Sequence, residues 1–190
     1  TTNDFAGLYL DMQFNTPHPW MAADDFGVTW GYLAGGAVVK DGVLSLDGSR
    51  AFVELPRDVA DFQAVTYRLR VKSAARGRGP ILEFSNASTG DGLRLGRDRD
   101  GRIAVAMSVG TTSRGLLGPR LEPGVWRDIE IALSRERAVL KVDGKVVDEK
   151  ADFGLVPEMA RADRCKIGRN EAGDCFGGEI DYFQIHSTAP

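Results

Sequence analysis

Trp20, Trp30 and Tyr32 are the residues of this 190-residue chain whose type and placement point most directly to a ligand. They fall within 15–36, a stretch that also holds Pro17, Pro19, Asp24 and Asp25 and shows no strand periodicity. A connection this long is usually functional or disordered, and its aromatic content argues against disorder. Aromatic faces stack on the apolar C–H face of sugar rings, while a few polar groups set orientation. At the rim of a β-fold, where binding loops gather, the three rings would hold a glycan. The opposing expectation is that the stretch folds back and buries them as a plug over one sheet, since Trp and Tyr are heavily buried on average. Arginines crowd the middle third, from Arg76 and Arg78 through Arg94, Arg97, Arg99 and Arg102 to Arg114. On a shared face, Arg94 and its neighbours would favour an acidic glycan through bidentate contacts. Dispersed, they are only a solvated surface.

Catalytic chemistry is poorly supported. A glycosidase needs two carboxylates about 5–9.5 Å apart, and a spacing of two puts both on one face of a strand. Asp128 and Glu130 have that spacing, but Glu130 alternates with Ile129 and Ile131, so they read as the solvent face of a strand. His18 sits between prolines and His186 ends the final apolar segment, neither with a partner to orient it as a base. No Gly-rich loop follows a strand and opens a helix, so nucleotide binding lacks its scaffold. Arg97–Gly101 mimics part of an EF-hand loop without the remaining ligands or the flanking helices, and reads as a hairpin turn. The chain is read as non-catalytic.

Cys165 and Cys175 lie ten apart. A zinc site would lack its other ligands, because His18 and His186 are both distant in sequence. A disulfide closing this small loop would stabilise by roughly 2–3 kcal/mol. The disulfide is the expectation, and it implies an oxidising compartment.

These residues need strands to position them. From Leu121 to Lys150 the chain reads as a three-strand meander: Ile129, Ile131 and Leu133 alternate with polar or small neighbours, then Ala138, Leu140 and Val142, then Asp143-Gly144 and Val146. Asp-Gly tolerates φ > 0 and favours a tight hairpin. Gly7–Phe14 is an opening strand. Asp41-Gly42 and Asp47-Gly48 punctuate strands around Val43–Leu46 and Phe52–Leu55. Further strands are expected over Phe62–Ser73, Pro80–Ser85, Gly92–Gly96, Ile103–Ser108, Arg164–Gly168 and Phe176–His186, with Thr111–Gly118 a loop and a helical turn in 153–162. Turn signals every 8–12 residues or so indicate a sandwich or barrel of roughly twelve strands.

The length suits one domain spanning 1–190. A net charge of −3 and the absence of a basic stripe interleaved with aromatics exclude nucleic acid as a partner. No apolar run reaches the 18 or so residues that cross a bilayer, so no membrane insertion is expected. Thr1–Asn3 reads as the start of a mature or excised segment.

Four segments, in order, resemble the laminin G-like modules of the concanavalin A-like jelly-roll superfamily: DGVLSLDGSRAFVELP, FQAVTYRLRVK, LEPGVWRDIEIALSRERAVLKVDGKVV and CKIGRNEAGDCFGGEIDYFQIHS. The resemblance covers 37–190, while 15–36 matches nothing in the family. It implies an all-β, concanavalin A-like jelly-roll sandwich of two antiparallel sheets, one concave, with Trp126 in the core. It also implies that Cys165 and Cys175 pair, and that calcium binds with Asp11 and Asp181 as ligands, joined by Asp24 and Asp25. The superfamily's glucanases carry a Glu-x-Asp-x-(x)-Glu strand motif, and nothing here reproduces it. The expectation is a non-catalytic carbohydrate-binding or accessory module of a secreted or surface protein, attached to a glycan-processing enzyme and contacting other domains of the same chain. The competing classes are a protein–protein adhesion module and an unrecognised glycoside hydrolase.

Overall fold

Two of the Asp-Gly pairs make the tight turns that their chemistry favours. Asp41 and Gly42 sit at φ 53° and 78°, Asp143 and Gly144 at 51° and 76°, the doubly positive geometry of a turn whose twist matches the flanking strands. The computed structural model describes residues 7–27 and 29–189, so the Thr1–Asn3 start lies outside the described residues.

Among these residues the strands run, in chain order, β1 (Leu8–Met12), β2 (Met21–Ala23), β3 (Trp30–Ala34), β4 (Val38–Lys40), β5 (Val43–Asp47), β6 (Phe52–Leu55), β7 (Val65–Ser73) and β8 (Leu82–Ser85). There follow β9 (Gly92–Arg97), β10 (Arg102–Val109), β11 (Thr112–Arg120), β12 (Trp126–Leu133), β13 (Arg137–Val142), β14 (Lys145–Ala151), β15 (Arg164–Ile167) and β16 (Gly177–His186). Single 3-10 turns at Arg57–Ala60 and Pro157–Ala160 are the only helical elements of the described residues. One sheet has the order β14-β13-β12-β7-β16-β5-β4, with β1 on the far half of β16; the other has β11-β10-β9-β8-β15-β6-β3-β2. Every pairing is antiparallel. The all-β jelly-roll sandwich expected from the sequence is what the chain forms.

The two inner faces meet in one apolar core. Tyr67 of β7 lies edge-on to Phe84 of β8 at 5.5 Å and parallel to Phe183 of β16 at 6.5 Å, and all three are fully buried. The Tyr67 hydroxyl donates to the Val59 carbonyl at 3.1 Å, so the buried polar atom is satisfied.

Asp47-Gly48, by contrast, is not a hairpin turn. It carries the chain from β5 in one sheet to β6 in the other. The Asp47 carboxylate accepts the Ser49, Arg50 and Ala51 N–H groups, each at 2.9 Å. The Arg50 N–H, then those of Ala51 and Ser49, outweigh the opposing effect of burial and hold this carboxyl well below the usual carboxylate range. A folded-state value below the unfolded one of about 3.9 contributes stability above that pH and loses it as pH falls through the folded value. Asp47→Ala is therefore expected to cost about 1 kcal/mol at pH 7, discounted for exposure. In urea unfolding the gap to wild type narrows once the pH drops below about 3.9.

Two stretches depart from the sequence reading. The segment 15–36 is not irregular throughout: β2 and β3 form a hairpin at the edge of the second sheet. Thr111–Gly118 is not a loop but most of β11, the opposite edge strand. Pro119 fits there because an edge strand has N–H positions facing solvent. Trp126 is a further correction. It is half-buried on the outer face of the first sheet, with the Lys72 ammonium 4.9 Å and the Arg70 guanidinium 5.6 Å from its ring. The core position expected for it is taken by Ile129 and Ile131.

Candidate functional site

The face that gathers the predicted ligand residues is the outer side of the second sheet. Strand β3 alternates Trp30 and Tyr32 outward with Gly31 and Leu33 inward. Gly31 is required by the packing: a Cβ there would lie 2.5 Å from Cγ1 of Val53 on β6. With no side chain inside, this edge strand seats close against the core while its aromatic residues face solvent.

Trp20, Trp30 and Tyr32 are 46%, 52% and 49% exposed. The plug expectation is therefore not what the fold adopts. The Trp20 and Trp30 rings meet edge to face at 5.7 Å, and His18 stands edge-on to Trp20 at 4.7 Å. The Leu33 N–H donates to the Trp20 carbonyl at 2.9 Å, which fixes the approach to β2 against β3. Beside the rings is an open cleft of about 430 Å³ lined by Thr29, Trp30, Tyr32, Glu54, Pro56 and Asp58, among others. Glu54 and Asp58 are exposed carboxylates, and the Asp58 carboxylate accepts the Tyr9 hydroxyl at 2.6 Å.

The strand register extends this site across the sheet. Tyr32 is opposite Glu54, Glu54 opposite Lys166, Lys166 opposite Glu83, and Glu83 opposite Arg94. Cross-strand partners share a face, so Tyr32 and Arg94 belong to one row, four strands or about 19 Å apart. The middle of the row is polar and held in place. Lys166 pairs with Glu171, and Glu83 accepts the Glu171 N–H at 3.2 Å and faces Arg94 at 3.9 Å. Burial pushes the Glu83 carboxyl up, against the opposing pull of the Glu171 N–H and Arg94. The Arg169 guanidinium lies 4.9 Å from the Phe52 ring, two residues along β6 from Glu54.

Asp128 and Glu130 lie on the outer face of β12, as the alternation on that strand implied. Glu130 accepts Arg68 and Lys141, both at 2.8 Å, on the outer face of the other sheet. Burial would raise Glu130, but Lys141 and Arg68 outweigh it and hold it low. Asp128 accepts the Tyr182 hydroxyl at 3.0 Å.

A laminin G-type family model, described as the concanavalin A-like lectin/glucanases superfamily, matches residues 47–190. The chain belongs to that superfamily. Several solved structures share the fold of this concanavalin A-like domain. Domain 4 of AbnA, an extracellular GH43 arabinanase from Geobacillus stearothermophilus solved with arabinotriose, aligns with TM-score 0.79 at 18% identity over 97% of this chain and 94% of that one. Trypanosoma rangeli sialidase aligns with TM-score 0.74 at 12% identity over 97% of this chain but 31% of the sialidase, so the domain spans about a third of that protein. The CBM40 of Ruminococcus gnavus IT-sialidase, solved with α2,3 sialyllactose, aligns with TM-score 0.61 at 15% identity over 70% and 80%. No curated protein sequence matches at a significant level.

The calcium ligands implied by the superfamily do not converge in this concanavalin A-like domain. Asp11 accepts side-chain amide N–H groups from Gln13 at 2.5 Å and Gln184 at 3.0 Å, whereas Asp181 lies 3.6 Å from Arg70. Asp24 and Asp25 do sit beside Asp11: Asp24 accepts its N–H at 2.9 Å, and the Asp25 N–H donates to its carbonyl at 2.7 Å. Burial, then Asp11 and Asp24, pushes the Asp25 carboxyl up. Among the described residues no group of three or more His, Cys, Asp or Glu side chains could hold a metal ion. Asp11 and Asp181 thus do not fit a calcium ligand set.

The disulfide expectation is also corrected, since Cys165 and Cys175 are free thiols. Cys175 pairs across from Arg169, four residues along the chain from Cys165. Burial first, with Asp58 and Asp163 adding to it, pushes the Cys165 thiol up to about 12, which leaves it protonated and unreactive.

Proposed function

We propose that the domain is a non-catalytic carbohydrate-binding module whose ligand lies across the outer face of the second sheet. Trp20, Trp30 and Tyr32 provide the stacking surface, and the polar row toward Arg94 orients the chain. The observation that carries this reading is the exposed pair of touching indoles at the head of that row. Soluble domains rarely leave such a cluster uncovered without a use for it, and stacked sugars suit it. The similar domains solved with arabinotriose and with sialyllactose support the reading by fold-level analogy. The same analogy supports attachment to a secreted glycan-processing enzyme, as in the extracellular arabinanase.

Catalysis forms no part of this proposal. An acid catalyst needs burial to keep its proton near neutral pH, and Glu54 and Asp58 in the aromatic cleft are both exposed. Nor does the stacking surface require a metal. A glycan array of neutral and acidic polysaccharides, run with calcium and again with chelator, is expected to show one bound class in both conditions. Loss of binding on chelation would instead implicate Asp24, whose buried Oδ2 has no donor among the described residues. No bound glycan in either condition would turn the aromatic face into a protein-docking surface.

A further inference from the structure

The outer sheet face does not account for a second charged feature, at one end of the sandwich. There the 74–79 connection between β7 and β8 meets the turn between β9 and β10. Between them is an open cleft of about 390 Å³ lined by Ala75, Arg78, Arg97, Asp98, Arg99 and Gly101. Three arginines and one aspartate thus line it. That carboxylate is already engaged: Asp98 Oδ1 accepts the N–H groups of Asp100 at 2.9 Å and Arg102 at 2.8 Å, which closes the turn.

Arg97 is half-buried and held in place. Its cross-strand partner is Ile103, a core residue, so its stem runs on the inner side of the sheet, and its guanidinium donates to the Gly77 carbonyl. Burial first, then the neighbouring Arg78, disfavours its charged form. Arg78 and Arg99 are exposed and, among the described residues, have neither ion pair nor hydrogen-bond partner. Elsewhere some basic side chains face an acid, as Arg68 does Glu130 and Arg137 does Glu149, whereas here no acid among the described residues faces Arg78 or Arg99. The chain as a whole is net negative at −3. An uncompensated positive cleft on such a protein calls for an external anion.

We propose that this cleft is a second binding site, for an oxyanion carried on a sugar, either a carboxylate or a sulfate ester. Guanidinium forks match the planar pair of oxygens in such groups. The cleft is of the size that holds a small-molecule moiety, about 300–1,000 Å³. None of its lining residues is aromatic, which disfavours single-stranded nucleic acid, whose bases stack on rings. Because the stacking face is a separate surface, the two sites are tested independently.

The experiment is affinity electrophoresis of the folded domain through gels containing polygalacturonate, dextran sulfate or uncharged dextran, at low and moderate salt. Wild type is expected to be retarded by at least one polyanion, less so at higher salt, and not by dextran through this site. Arg78→Ala/Arg99→Ala should weaken retardation about tenfold or more. Arg114→Ala/Arg135→Ala removes the same charge elsewhere and should behave as wild type. Preference for polygalacturonate or for dextran sulfate assigns the anion as carboxylate or sulfate. No retardation by either polyanion would overturn the proposal. So would equal loss in the control double variant, which would make the effect one of net charge.

Discussion

Trp30→Ala is expected to lower glycan affinity by about 30-fold or more and to leave the melting temperature within about a degree of wild type. Trp30 is 52% exposed and packs on Trp20 at 5.7 Å, so truncation removes ligand surface without opening the core. Central aromatic anchors of an interface cost about 2 kcal/mol or more when truncated, and each 1.4 kcal/mol or so is tenfold in Kd. Surface changes away from special features stay within about 0.5 kcal/mol in stability. Because the two rings touch, the Trp20→Ala/Trp30→Ala double variant should lose less than the sum of the single losses. Calorimetric titration with the best array ligand, beside a thermal melt, measures both quantities. A comparable drop in melting temperature would mean that the rings belong to the fold rather than to a binding surface.

Phe84→Ala has the largest expected effect on stability, about 3–5 kcal/mol. Phe84 is 1% exposed and is where the second sheet reaches Tyr67, which in turn lies parallel to Phe183. Removing this ring leaves a cavity between two sheets whose strands are held on both sides, so little collapse can offset it. Tyr67→Phe keeps the ring and loses only the bond to the Val59 carbonyl, at a cost of about 1–2 kcal/mol. Urea unfolding of the two variants separates packing from hydrogen bonding. Equal losses would contradict the bridging role of the aromatic trio.

Where the chain alternates apolar and polar residues, the fold was legible. Strands β12 to β14 and the Asp143-Gly144 turn follow from period-2 patterning and one dipeptide. What failed were the edges. In β3 the outward positions hold Trp30 and Tyr32 and one inward position holds Gly31, so the usual polarity is inverted and the hairpin reads as a loop. In β11 seven of nine residues are exposed and the strand contains Gly115, Gly118 and Pro119, so little periodicity survives. Trp126 misled in the opposite sense. The family resemblance implied a core position, but Lys72 and Arg70 lie over its ring on an outer face.

The candidate site was legible in its parts and not in its assembly. Trp20, Trp30 and Tyr32 stood out by residue type, and Arg94 by the local density of arginines. That Tyr32 and Arg94 share one row depends on the pairing order β3-β6-β15-β8-β9, in which β15 inserts from far along the chain. Glu54, Lys166 and Glu83 were missed for the same reason. Each reads as an ordinary outward residue of a short strand, and only the register aligns them. The ten-residue spacing of the cysteines carried no signal that both stay free thiols.

The three tryptophans offer the most direct test of the central claim, since each gives one indole N–H signal in a ¹⁵N NMR spectrum. Titration with arabinotriose, sialyllactose and the best array ligand is expected to move the signals of Trp20 and Trp30 for the ligand that binds. That of Trp126, on the opposite sheet, should stay still. Movement of Trp126 alone, or saturable binding that leaves both Trp20 and Trp30 unmoved, would contradict a glycan site on the outer face of the second sheet.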